Sequence, residues 1–143
     1  MESKQGQLTH LHNALDHLKE SISLRKQENA PRQFRESVIK SLESCFDLMW
    51  KNLKNQLEEK YGIVAAEPRP ILRESFAQGL LKKEEFDELE NLFTDCNNPS
   101  RKYNDFEIKN QVFKDETMAE TIAQRADLYH DVMRDVFNRM TKN

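Results

Sequence analysis

Leu8, Leu11, Leu15, Leu18 and Ile22 recur at alternating steps of three and four residues, drawing one apolar stripe along an otherwise polar segment. The pattern predicts a helix from about Gln5 to Gln27, its stripe serving a partner helix as readily as the chain's own core. Asn29-Ala30-Pro31 interrupts it. Pro31 suits a first helical turn, and Asn29 offers a nearby cap. Val38, Ile39, Leu42, Cys45, Phe46, Met49, Trp50, Leu53 and Leu57 then follow at helical spacing. This wider stripe predicts a central helix to about Tyr61, stopped by Gly62. Thirty such residues rise about 45 Å.

Ile63 to Glu67 reads as a connector. Pro68 and Pro70 restart the chain, and Ile71 to Gln78 predicts a short helix ended by Gly79. Lys82 to about Phe93 predicts a fourth, with Leu81, Phe86, Leu89, Leu92 and Phe93 facing inward. Cys96 to Asp105 contains Asn-Asn-Pro-Ser, which is turn chemistry. Between Asn104 and Lys114 the even spacing of Phe106, Ile108 and Val112 is broken by Phe113, which fits a short extended piece or a loop folded over the bundle. A last helix starts near Asp115, whose carboxylate suits a helix N-terminus. Met118, Ile122, Ala126, Tyr129, Met133, Val136, Phe137 and Met140 mark its core face. The fold expected is all-α: an antiparallel four- to five-helix up-and-down bundle, one domain over residues 1–143.

Composition supports that reading. Only 3 Gly and 4 Pro with 33% charged residues favour long helices over a turn-rich β fold. A length of 143 residues suits one core, and a modest 37% hydrophobic content suits a lean bundle completed as a homodimer. The net charge of −3 gives no global signal for nucleic acid, so any anion site must be a local cluster. No apolar run approaches the roughly 20 residues of a membrane span, and Met1 to Gln5 leads into helix without a signal-peptide core. Two cysteines make no disulfide framework, and a reducing cytoplasm is expected.

Metal and cofactor chemistry find little support. His10, His12 and His17 lie two, five and seven residues apart, whereas paired helical ligands sit at i, i+4; they read as surface residues, and neither metal nor cofactor is expected. Cys45 reads as a buried small hydrophobe. No nucleophile–base pair, glycine-rich phosphate loop or G-x-S-x-G occurs at recognisable spacing.

Three segments carry a resemblance: Phe46-Asp47-Leu48-Met49-Trp50-Lys51, the stretch Pro68 to Leu80, and Asp95-Cys96-Asn97-Asn98-Pro99-Ser100-Arg101-Lys102-Tyr103. Together they resemble the nucleotidyltransferase substrate-binding protein family, part of the HEPN superfamily of helical bundles. The similarity covers most of residues 32–103 and, more loosely, the last helix. HEPN ribonucleases carry an Arg and a His separated by four residues, often followed by x-Tyr. Here Cys96 takes the Arg position and Arg101 the His position, while Asn97 and Tyr103 are kept. Cysteine cannot clasp a phosphate bidentately, and a guanidinium stays protonated and cannot move protons near neutral pH. No catalytic residue is therefore expected.

The resemblance implies the non-catalytic substrate-binding subunit of a small MNT-type nucleotidyltransferase, the toxin-like half of a toxin–antitoxin pair. Trp50, Arg73, Glu74, Asn97, Arg101 and Tyr103 are its expected substrate- or partner-binding residues, and a nucleotide or RNA its ligand. Tyr103 stands where toxin members receive AMP from the cognate enzyme; its plainer role is a ring packed on helix 4. Arg69 and Arg73, four apart, join Lys51, Lys54 and Arg101 in a local basic surface, or form an ordinary solvated face. Trp50 reads first as core packing and second as a stacking surface. The enzyme alternative is a ribonuclease with a rearranged site, for which His130 is the one histidine outside the first helix. A helical adaptor without nucleotide chemistry is the third reading. About ten residues, 104–114, are inserted relative to the family pattern.

Overall fold

The structure, a computed structural model, describes residues 4–97 and 119–142. Five helices follow in order: α1 (Lys4–Arg25), α2 (Arg32–Tyr61), α3 (Pro68–Ala77), α4 (Lys83–Cys96) and α5 (Ala126–Thr141). A further helical stretch, 119–124, enters α5 through a turn at Arg125. The described residues contain no strand, and no described helix is long and apolar enough to cross a membrane.

Cross-helix pairs fix the directions. Asn52, late in α2, donates to the Gln7 carbonyl at 3.4 Å, and a short turn joins the end of α1 at Arg25 to the start of α2 at Arg32, so α2 descends beside an ascending α1. Arg134 reaches Asp16 at 2.6 Å, and Lys26 pairs with Asp127, so α5 descends along α1. Arg139 meets Glu85 at one end of α4 and Arg125 meets Asp95 at the other, so α4 ascends along α5. α1, α2, α4 and α5 thus form an up-down-up-down bundle, with α3 folded into the α2–α4 connection.

The periodic stripes are the core. Leu11, Leu15, Leu18, Leu42, Met49, Leu53 and Leu57 are all fully buried. Each such side chain contributes roughly 1.5–3 kcal/mol by leaving water. The α1 stripe is filled by α2 and α5 of the same chain. Gly62 stops α2 with φ +66, a left-handed conformation that glycine adopts without a Cβ penalty. Its N–H reaches the Glu58 carbonyl at 3.1 Å, and the Ile63 N–H reaches Leu57 at 3.2 Å, satisfying carbonyls the helix would otherwise strand.

Three boundaries differ from the periodicity reading. α3 begins at Pro68 rather than Ile71, because Pro68 and Pro70 both sit in its first turn, where missing N–H groups cost nothing. α4 runs to Cys96, one turn beyond Phe93, because Asp95 in that turn is tied to α5. Asn29 does not cap α2. Pro31 is the N-cap, while Asn29 adopts φ 62 in the preceding turn. The expected helix start at Asp115 and the irregular stretch 104–114 lie outside the described residues.

Candidate functional site

A polar cluster holds the last turn of α4, the turn that carries Cys96. Tyr129 donates its hydroxyl to Asp95 Oδ2 at 2.6 Å. Arg125 Nη1 donates to both oxygens of the same carboxylate, at 3.0 and 3.3 Å. Asp95 is only 6% exposed, so these partners answer the desolvation of its charge. Burial and the bond to Asp95 push the Tyr129 phenol well above its ordinary range, keeping the proton on the donor. The Tyr129 hydroxyl and Asp95 also hold Arg125 more firmly protonated.

The other end of α4 is clamped in the same manner. Arg139 spans both Glu85 oxygens, with Nη1 to Oε2 at 2.7 Å, and reaches the Leu80 carbonyl at 3.1 Å. Glu85 also accepts the Lys82 N–H at 2.8 Å, closing the first turn of α4. Burial alone would raise the Glu85 carboxyl; Arg139 and the Lys82 N–H outweigh it and hold the group below its ordinary value. α4 is therefore pinned to α5 at both ends.

Around the end of α4 three helices converge. Phe46 of α2 packs on Phe93 of α4 with ring centroids 5.5 Å apart, and the Arg69 guanidinium of α3 lies 5.1 Å from the Phe93 centroid. Trp50, Arg73 and Asn97 each lie one turn beyond a member of this trio. Trp50 is half-buried against the core, Arg73 and Asn97 are exposed, and Glu74 is half-buried. Arg69 lies over Phe93 and Phe76 stacks on Phe86, so α3 descends against α4 as α2 does, and these residues diverge. Asn97 lies about 12 Å along the bundle axis from the level of Trp50 and Arg73. The three share one side of the molecule and not one point. Asn97 turns its amide to the Phe93 carbonyl at 2.8 Å and closes the end of α4. Cys96 is half-buried against the core. Arg101 and Tyr103 lie outside the described residues.

The basic surface expected from Lys51 and Lys54 is locally neutralised. Lys51 meets Asp47 at 2.8 Å and Lys54 meets Glu58 at 3.4 Å, each one turn away on α2. Arg69 and Arg73 remain as the α3 contribution, with Arg69 committed to an aromatic ring. His130 lies on the α5 face that carries Asp127 and Arg134, the residues paired with α1, whereas Arg125, Tyr129 and Arg139 face α4. His10, His12 and His17 are exposed on α1. No described group of three His, Cys, Asp or Glu side chains converges to hold a metal.

Periodicity missed the two carboxylates that organise the site, yet a signal was present. Glu85 and Asp95 fall on the same α4 stripe as Leu89 and Leu92. A carboxylate on an apolar stripe must find a buried partner.

Comparison with known proteins agrees with the bundle. A crystal structure of a protein from Thermus thermophilus superposes with a TM-score of 0.75 at 28% identity, covering 92% of this chain and 99% of that one. No curated protein matches the chain. The model of the family described as nucleotidyltransferase substrate binding protein like matches residues 6–142, and the chain belongs to that family.

Proposed function

We propose that this chain is the non-catalytic substrate-binding partner of a small MNT-type nucleotidyltransferase. In this reading it acts as a cytoplasmic homodimer and is the toxin-like half of a toxin–antitoxin pair with a degenerate HEPN ribonuclease site. The observation that carries the reading is the family match over residues 6–142. In this reading Cys96 and Arg101 stand at the two ribonuclease positions. Cysteine lacks the fork that grips a scissile phosphate, and arginine does not shuttle protons. Binding chemistry survives these changes and hydrolysis does not.

Trp50, Arg73, Glu74, Asn97, Arg101 and Tyr103 are the proposed contacts to the partner enzyme and its substrate. The rigidly held α4 end, with Arg69 stacked on Phe93 beside it, supports a docking face that meets its partner without reordering. At Tyr103 the proposed modification is adenylyl transfer. The phenol oxygen attacks the α-phosphorus of ATP, pyrophosphate leaves, and the phenolic proton passes to a base of the partner enzyme.

Affinity capture from the native host, with intact-mass analysis of the bait, tests this reading. Recovery of a small nucleotidyltransferase supports it, and an AMP-sized addition absent from Tyr103→Phe supports the modification. Absence of any nucleotidyltransferase, or RNA cleavage by the pure chain that is lost in His130→Ala, overturns it.

A further inference from the structure

The bundle end where α4 stops also carries a pocket of about 440 Å³, lined in part by Arg25, Asn29, Pro31, Arg35 and Glu120. It joins the end of α1, the start of α2 and the 119–124 stretch. Two guanidinium groups converge there on one carboxylate. Arg25 Nη2 hydrogen-bonds Glu120 Oε1. Arg35 Nη1 stands 3.6 Å from Glu120 Oε2, an ion pair too long for a hydrogen bond.

Arg35 is the unusual member. Its Nε and Nη2 are shielded from solvent and have no hydrogen-bond acceptor among the described residues. The contact Nη2 does make is Glu36 Oε1, at 3.7 Å. Nε and Nη2 form the edge of a guanidinium that clasps an oxyanion with two parallel bonds. Buried donors are ordinarily satisfied, so a guanidinium edge without a hydrogen bond, on a residue that lines a pocket, marks a place for an acceptor. Arg25 and Arg35 share Glu120, and Glu36 stands beside Arg35. The positive end of α2 lies at the same place: its N-cap Pro31 makes no side-chain capping bond, and its first turn holds no acid.

We propose that this pocket binds a phosphate-type oxyanion and that Glu120 is its displaceable occupant. The anion takes the Nε/Nη2 edge of Arg35 and shares Arg25, while Glu120, already 41% exposed, turns to solvent. The inference rests on the substrate-binding reading only for the carrier of the phosphate. The carrier is a nucleotide if that reading holds, and the free ion serves as the probe if it does not.

The test titrates the full chain with inorganic phosphate and with AMP by calorimetry, without a partner enzyme. Saturable one-to-one binding is expected. Arg35→Lys, which keeps the charge and loses the fork, weakens it about tenfold, the equivalent of one charge-assisted hydrogen bond. Glu120→Gln, which removes the competing carboxylate, strengthens it several-fold. Circular dichroism checks that both variants are folded. AMP binding tighter than phosphate assigns a nucleotide carrier, and equal affinity assigns the phosphate group alone. No saturable binding at millimolar ligand, or affinity unchanged in both variants, overturns the site. Neither outcome depends on whether a nucleotidyltransferase is captured.

Discussion

The Tyr129 hydroxyl donates to the Asp95 carboxylate at 2.6 Å, joining the last turn of α4 to the first turn of α5. Both residues are buried, and the bond ties two helices that lie 30 residues apart in the chain. It fixes the end of α4 against α5.

Tyr129→Phe is expected to destabilise the chain by about 1.5–3 kcal/mol, because a buried carboxylate loses a charge-assisted partner. Melting should fall by about 3 °C for each kcal/mol in a domain of this size. Thermal and urea unfolding check both figures. Loss below about 0.5 kcal/mol would mean that Arg125 alone satisfies Asp95.

Glu85→Gln is expected to produce a pH-dependent defect. The folded Glu85 carboxyl lies below its ordinary 4.5. Its contribution is therefore present above that value and is lost as pH falls through the folded value. Near pH 7 the variant should be less stable by about 2 kcal/mol, and the gap should close under acid conditions below pH 4.5. Urea midpoints for both proteins across this range test it. A gap that stays constant with pH would contradict the Arg139–Glu85 account.

The two thiols should react differently. Burial pushes the Cys45 thiol up to about 12, with Arg134 pulling it down and the Cys96 thiol adding to the rise. The thiolate is the nucleophile, so Cys45 should resist alkylation at mild alkaline pH until the chain unfolds. Half-buried Cys96 should label first. Peptide mapping after brief iodoacetamide treatment decides this, and early modification of Cys45 would contradict its place in the core.

Asn29 holds φ 62 in the turn between α1 and α2. Asn29→Gly should leave stability within about 0.5 kcal/mol of the parent, whereas Asn29→Ala should cost about 1 kcal/mol, because Cβ crowds the carbonyl in the left-handed region. Thermal melts of the pair test the turn without touching the core.

The bundle was legible in the chain because burial is written in the helical period. The stripes through Leu11, Leu15 and Leu18 and through Leu42, Met49 and Leu53 are the core, and Gly62 ends α2 as its place after Tyr61 implies. The family was legible because its motifs are contiguous. The ties that position the site were not: Arg139 finds Glu85 across 54 residues, Arg125 finds Asp95 across 30, and Arg25 finds Glu120 across 95. An ion pair depends on distance in space, which helix packing sets and local periodicity does not encode. The opposed directions of α4 and its neighbours likewise separate Asn97 from Trp50 and Arg73. The sequence by itself determined which faces are buried and which family the chain resembles. Only the tertiary structure decided which charges meet, because charge pairing follows from how the helices cross.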